Sequence, residues 1–360
     1  MRMSPMNVTS SRRASLTRSL TALGAVCLAL SLTACGTTAT KGSGRLDVSV
    51  SFYPIQYLVE GIGGEHVQVT SVTPGDVEPH DYELSPKEVS DLGKADLITY
   101  VKGFQGSLDE AVEKVSGPTV VDLSGSVNLV SHAGGHNTHD HAEHEHEHGH
   151  TDAAGHDHAD HEHEHEHGHN DAAGHEHEHG HTDAADHDHA ATDPHFWLDP
   201  QRMVLAAQAV AAALTQADPE HAADYQAGLA AVTEQLNHLD ASYSTGLQTC
   251  ERRTIVTNHA AFGYLAERYN LSQTSISGVD PESEPSPADL AKVKKVVQET
   301  GTTTIFTEER VSEKTAQVVA QETGVTTAVL SPMEVRPQAG DYPAAMEANL
   351  SALKTALACQ

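Results

Sequence analysis

The amino-acid sequence predicts an α/β protein of two lobes, each a parallel four-stranded sheet flanked by helices, joined through a long helical segment. Three observations predict it. β-like runs alternate with helical stretches, the pattern of parallel sheets covered on both faces. The runs come in two sets of four, one ending at residue 123 and one starting at residue 253. Between the sets lie two long helical segments without a strand signal.

The first set opens with "LDVSVSF" (46–52), where apolar and polar residues alternate, followed by "HVQVTSV" (66–72), "DLITYV" (96–101) and "TVVDL" (119–123). Among the intervening helices, "SPKEVSDLGKA" (85–95) starts on Ser-Pro, a cap followed by a first-turn proline. An Ala-rich helix follows Pro200 within "DPHFWLDPQRMVLAAQAVAAALTQ" (193–216), and a longer one spans roughly 218–247. The second set reads "RTIVTN" (253–258), "LSQTSI" (271–276), "TTIFT" (303–307) and "TTAVL" (326–330). The predicted organisation is an N-terminal lobe over 46–200, a helical segment with the linking helix over 201–249, and a C-terminal lobe over 250–360.

Two parts fall outside this pattern. Residues 1–34 read as an export signal, with Arg12, Arg13 and Arg18 ahead of an apolar run that is too short to span a bilayer. The run closes on Leu32-Thr33-Ala34-Cys35-Gly36, which resembles a bacterial lipobox. Cys35 is then the lipidated residue, and 35–45, with "GTTATKGSG", is a flexible tether. The protein is expected at the outer face of the cytoplasmic membrane. In that oxidising compartment the remaining even pair, Cys250 and Cys359, is expected to form a disulfide.

The second part is 132–193, made of His, Asp, Glu, Gly, Ala, Asn and Thr without apolar periodicity. "HGHTDAAGH" (148–156) recurs as "HGHNDAAGH" (167–175) and "HGHTDAADH" (179–187). A segment this polar cannot offset its ordering entropy, so it reads as a disordered loop of the first lobe. The formal charge of −30 is concentrated here, for no Lys or Arg occurs between Lys114 and Arg202. Such a polyanion repels nucleic acid and anionic lipid and attracts cations. Alternating His and carboxylate adds weak metal ligands, represented by His144, His146, His148, His161, His163, His165 and His167. His144 and His161 also begin H-E-x-x-H patterns. A metalloprotease site needs that pattern on a packed helix, which a Gly-punctuated repeat does not supply.

Twenty-one of the 27 histidines lie in the run. Of the other six, His66, His221 and His238 are expected at the surface. His80, His195 and His259 are placed differently: His80 and His259 follow strands, where ligands of parallel α/β sheets bind, and His195 stands at the exit of the loop. Three imidazoles leave a fourth position for oxygen, the tetrahedral N/O set that zinc favours. Glu334 in "VLSPMEVRP" is the favoured oxygen donor, with Glu308 and water as alternatives. Glu308 could equally accept a hydrogen bond from a ligand imidazole. Asp76 and Glu78, flanking His80, are expected to fall short of the ion.

"EPHDYELSP", "DPHFWLDP", "NHAAFGYLAERYNL" and the tail with "FTEE" and "ETGVTTAVLSPME" together resemble the metal-specific solute-binding proteins of bacterial ABC transporters, zinc branch. The resemblance covers residues 46–357. It implies a C-clamp of two (β/α)4 lobes with zinc held between them by His80, His195 and His259. It also implies a His- and acid-rich loop before the second ligand, and a membrane permease with a cytoplasmic ATPase as partner. Manganese binders of the family carry an Asp where this chain has Ser331-Pro332, and tend to replace the third histidine with a carboxylate. The expected function is capture of Zn2+ outside the cytoplasm by a monomer and its delivery for import. The competing readings are an extracytoplasmic zinc hydrolase and a manganese-binding or adhesin homologue.

Overall fold

The computed structural model describes residues 44–130, 192–308 and 313–360. The export signal, Cys35 and the seven run histidines named above lie outside the described residues.

The first sheet consists of β1 (Leu46–Val50), β2 (Val67–Ser71), β3 (Leu97–Tyr100) and β4 (Thr119–Asp122), all parallel in the order β2-β1-β3-β4. The second repeats that order with β5 (Thr254–Thr257), β6 (Ser272–Ser275), β7 (Thr304–Thr307) and β8 (Thr326–Val329), as β6-β5-β7-β8. Each strand lies within the run that predicts it.

Period-two alternation divides each sheet between two cores. In the first, Val48, Val50 and Leu97 face a core shared with the helices between the lobes, while Ile98 and Tyr100 face α2 (Pro86–Leu92) and α3 (Gly106–Lys114). In the second, Ile255 and Phe306 join the shared core, while Val256 and Ile305 pack under α7 (Pro287–Thr300) and α8 (Lys314–Thr323). The predicted Ser85 cap is present as a full capping box: its side chain accepts the Glu88 N–H, and the Glu88 carboxylate accepts the Ser85 N–H.

Five helices contribute to the shared core: α1 (Tyr53–Gly63), α4 (Pro200–Ala217), α5 (Ala222–Gly246), α6 (Gly263–Arg268) and α9 (Tyr342–Leu357). At 25 residues, α5 is about 37 Å long. It is the segment predicted to link the lobes. Its Gly228 is required by close approach, because a Cβ there would stand 2.4 Å from the Ile62 carbonyl oxygen of α1. Among the described residues no helix is long and apolar enough to cross a membrane.

His238 is exposed on α5, as predicted. His66 and His221 are not simply solvated. Their rings stack at 3.9 Å, with His66 paired to Asp224 at 3.2 Å and His221 to Asp218 at 2.6 Å. The turn before α5 carries His221 off the helix and against the start of β2, an approach that helix periodicity does not encode.

Cys250 and Cys359 are disulfide-bonded across a sequence separation of 109. The bond ties the chain just after α5 to the end of α9, where the Gln360 N–H also donates to the Thr249 carbonyl at 2.9 Å. Replacing both cysteines with serine is expected to lower unfolding free energy by about 4–5 kcal/mol, the loop-closure value for a ring of this size. Chemical denaturation at matched protein concentration checks it.

Candidate metal centre

Four stretches of chain converge, three of them loops that follow strands of the two sheets. His80 lies in the loop between β2 and α2. Gln105, at the start of α3, holds that loop by donating to the Thr73 hydroxyl at 2.7 Å and to the Pro79 carbonyl at 3.1 Å. The His80 ring packs edge-on against Phe104, centroids 4.7 Å apart.

His195 is fully buried just ahead of α4. Asp193, two residues earlier, accepts both its backbone N–H at 2.9 Å and its Nδ1 at 2.8 Å. The second bond fixes the tautomer, with the proton on Nδ1 and the Nε2 lone pair facing the cleft. Sequence analysis places Asp193 at the end of the His-rich run; in the structure it is 1 % exposed and belongs to the folded body. The readable signal is Asp two residues before a histidine, the spacing of a side chain that accepts a backbone N–H two residues on.

His259 directly follows β5, and Glu308 directly follows the neighbouring strand β7. That adjacency brings His259 Nδ1 to 2.5 Å from Glu308 Oε1, with both residues buried. Glu308 therefore sits behind an imidazole, not in the cleft. Substituting Glu308→Gln is expected to weaken metal binding by about 10–100-fold while the fold is kept, the usual cost of losing such a carboxylate. Competition against a chelator measures it.

Glu334 follows β8 on a short loop fixed from two sides. Asn349 of α9 accepts the Ser331 N–H at 2.8 Å and donates to the Ser331 carbonyl at 2.7 Å, and the Trp197 indole donates to the Pro332 carbonyl at 2.7 Å. Met333 takes a left-handed φ of 64°, which turns the chain so that Glu334 enters the cleft.

The His80, His195 and His259 Nε2 atoms lie 3.4, 3.1 and 3.6 Å from one Glu334 oxygen, and those of His80 and His195 lie 3.2 Å apart. One ligand atom from each of the four residues can be chosen so that all lie within 4.8 Å of one another. A tetrahedral zinc shell with bonds of about 2.0–2.1 Å has edges of roughly 3.4 Å. Four of the six spacings, at 3.1–3.6 Å, are those of such a shell. His259 Nε2 and Glu334 Oε2 are also buried without a hydrogen-bond partner, which is costly for polar atoms unless a ligand satisfies them.

The electrostatics agree. Burial alone would raise the Glu334 carboxyl, but the imidazoles of His195, His259 and His80 gathered around it hold it well below the usual carboxylate range. Burial alone would depress His259, yet Glu308 and then Glu334 raise it to about 10. His195 is raised in the same way, by Asp193 and Glu334 against the burial penalty. Glu78 lies nearer than the sequence suggests. Its carboxylate accepts the His80 N–H at 3.2 Å, and burial followed by the Glu334 charge lifts it to about 9. Its separation in sequence gives no sign of this, because loop curvature turns it inward.

Comparison with known proteins gives a consistent picture. Residues 48–356 match the family model for the zinc-uptake complex component A, periplasmic. The chain is 32% identical over 346 residues to the high-affinity zinc uptake system protein ZnuA of Bacillus subtilis, covering 92% of this chain and 95% of that protein. It is 33% identical over 317 residues to the zinc-binding protein AdcA of Streptococcus pyogenes, covering 86% of this chain. It spans only 56% of the length of that streptococcal protein. Among solved structures, the laminin-binding protein Lbp of S. pyogenes superposes with a TM-score of 0.66 at 26% identity, over 87% of this chain and 99% of that one. Zn(II)-bound AdcA of Streptococcus pneumoniae gives 0.64 at 26%, over 87% and 58%. The match runs across both sheets and all four converging stretches, and the chain belongs to the family of periplasmic zinc-uptake components.

Proposed function

We propose that this protein captures Zn2+ outside the cytoplasm and delivers it to an ABC permease with a cytoplasmic ATPase. The observation that carries the reading is the four-cornered shell of His80, His195, His259 and Glu334, with spacings of 3.1–3.6 Å around one carboxylate oxygen. Three imidazoles suit zinc better than manganese, which prefers oxygen donors. The fourth corner is a carboxylate. Catalytic zinc sites keep that corner open for water, so a closed shell supports carriage over hydrolysis.

In this reading Cys35 carries the lipid anchor, the protein acts as a monomer, and the His-rich run is an auxiliary collector. Many weak sites tethered beside the cleft raise the local zinc concentration without forming the specific site.

Replacing 131–191 with three glycines tests the division of labour. Calorimetry and metal analysis of the shortened chain are expected to find one tight zinc per molecule. Cells lacking the protein should regain uptake of radiolabelled zinc from the intact chain and not from its His259→Ala variant. Loss of tight binding on removing the run would place the specific site there and overturn the assignment. Equal uptake with the variant would overturn the delivery role.

A further inference from the structure

The base of the His-rich run meets the metal centre through one phenol. The Asp193 N–H donates to the Val130 carbonyl at 3.0 Å, so the run leaves the body and returns to it at a single point. Tyr264, on α6 (Gly263–Arg268) of the other lobe, closes that point. Its hydroxyl accepts the Val130 N–H at 2.9 Å and donates to the Asp193 carbonyl at 2.7 Å. A phenol has one proton to give, and this arrangement commits it. The ring is 1 % exposed and carries the Arg202 guanidinium 4.5 Å above it. Arg202 in turn donates to the Val127 carbonyl at 2.6 Å and to that of Asn128.

Asp193 is the common element. Its backbone carbonyl receives the Tyr264 hydroxyl, and its carboxylate holds His195 through Nδ1 and the backbone N–H. The described chain on either side of residues 131–191 thus meets at Asp193, two residues from His195. A ligand set must hold its geometry to within about 0.5 Å to work.

We infer that Tyr264 is a positioning residue for metal capture: by joining Val130 to Asp193 across the base of the inserted residues it holds in place the carboxylate that orients the His195 imidazole. The inference rests on His195 being a metal ligand. It assigns Tyr264 a part in binding although it touches no metal-binding atom.

The sole tryptophan makes the test specific, since the Trp197 ring lies 5.0 Å from that of His195 and its fluorescence reports on the central site and not on the run. Zinc is titrated against a chelator with this readout, in the full chain and in the chain with 131–191 replaced by three glycines. Tyr264→Phe is expected to weaken binding by about tenfold in the full chain and at most about threefold in the shortened one, within the range for supporting residues of metal sites. Added to Asp193→Ala, it should cost no more than about twofold further, because the link it acts through is gone. Equal losses in both chains, or no loss in the full one, would overturn the inference.

A measurement without substitution guards against a variant that fails to fold. The Val130 and Asp193 amides of the unsubstituted full chain should exchange hydrogen at least about 100-fold slower than unstructured amides; exchange at the unstructured rate would equally overturn it. His195→Ala in the shortened chain separates the two readings. If zinc binding there is undiminished, the ligand assignment fails, whatever the exchange of the clasp amides shows.

Discussion

Alanine at His195 or His259 is expected to weaken zinc binding by roughly 10²–10³-fold. Complete four-ligand zinc shells in small folded domains are worth about 10–16 kcal/mol at neutral pH, so one ligand in four accounts for about 3–4 kcal/mol. The loss exceeds that expected for Glu308→Gln because a coordinating atom is removed, not its support. The two variants differ in their side effects. His259→Ala strands Glu308, whose second oxygen already lacks a partner. A buried polar group left unsatisfied costs about 1–3 kcal/mol, so the metal-free His259→Ala chain should also unfold more easily. His195→Ala leaves Asp193 its bonds to the His195 backbone N–H and to Tyr264, and should be the more stable of the two. Trp197 fluorescence gives the affinities and thermal unfolding gives the stabilities. Tight binding that survives both substitutions would sink the site.

The eight strands and their direction are legible in the sequence because short runs rich in β-branched residues recur between helical stretches, fully buried in the central β3 and β7 and half-buried or exposed in the outer strands. The three histidines are legible for a topological reason: the carboxyl ends of parallel strands are where such folds bind ligands, and His80 and His259 sit just past strands. Glu334 is half-legible. It follows β8, but four residues of loop separate it from the strand, and what aims it is the left-handed Met333 together with clamps from Asn349 and Trp197. Those contacts join residues far apart in sequence. Glu308 is assignable to a supporting place only once β5 and β7 are known to be neighbours, since pairing order decides which strand ends touch. Asp193 is hidden by composition, because it closes a run of acidic and histidine residues from which one buried aspartate does not stand out. Tyr264 is hidden by the opposite effect, for in "NHAAFGYLAERYNL" it reads as an ordinary core aromatic.

Zinc affinity is expected to rise with pH well beyond the range set by a free imidazole. Sequence alone suggests a loss of binding as pH falls through about 6.5, the ordinary histidine value. In the folded, metal-free protein, Glu308 and Glu334 outweigh the burial penalty and lift His259 to about 10. The proton on its Nε2 must leave before a metal can occupy that nitrogen, so apparent affinity should tighten by up to about tenfold per pH unit between 6.5 and 8.5. Glu78, raised to about 9 by burial and the Glu334 charge, adds to this, for a cation on Glu334 removes part of what holds its proton. Glu334 is depressed and contributes no proton in this window.

Stability follows with the opposite sign. A histidine raised in the fold contributes stability that is full below about 6.5 and is lost as pH climbs to about 10, at up to about 1.4 kcal/mol per pH unit. A carboxyl raised in the fold behaves alike between its unfolded value and about 9. The metal-free protein should therefore lose stability from pH 6 to 8, while the increase in unfolding temperature produced by zinc grows. Calorimetry in two buffers of different ionisation enthalpy counts the protons, and at least one should be released per zinc at pH 7.5. Release of none, with affinity flat from 6.5 to 8.5, would mean that His259 is already neutral beside Glu308. The buried pair would then orient the imidazole without charging it.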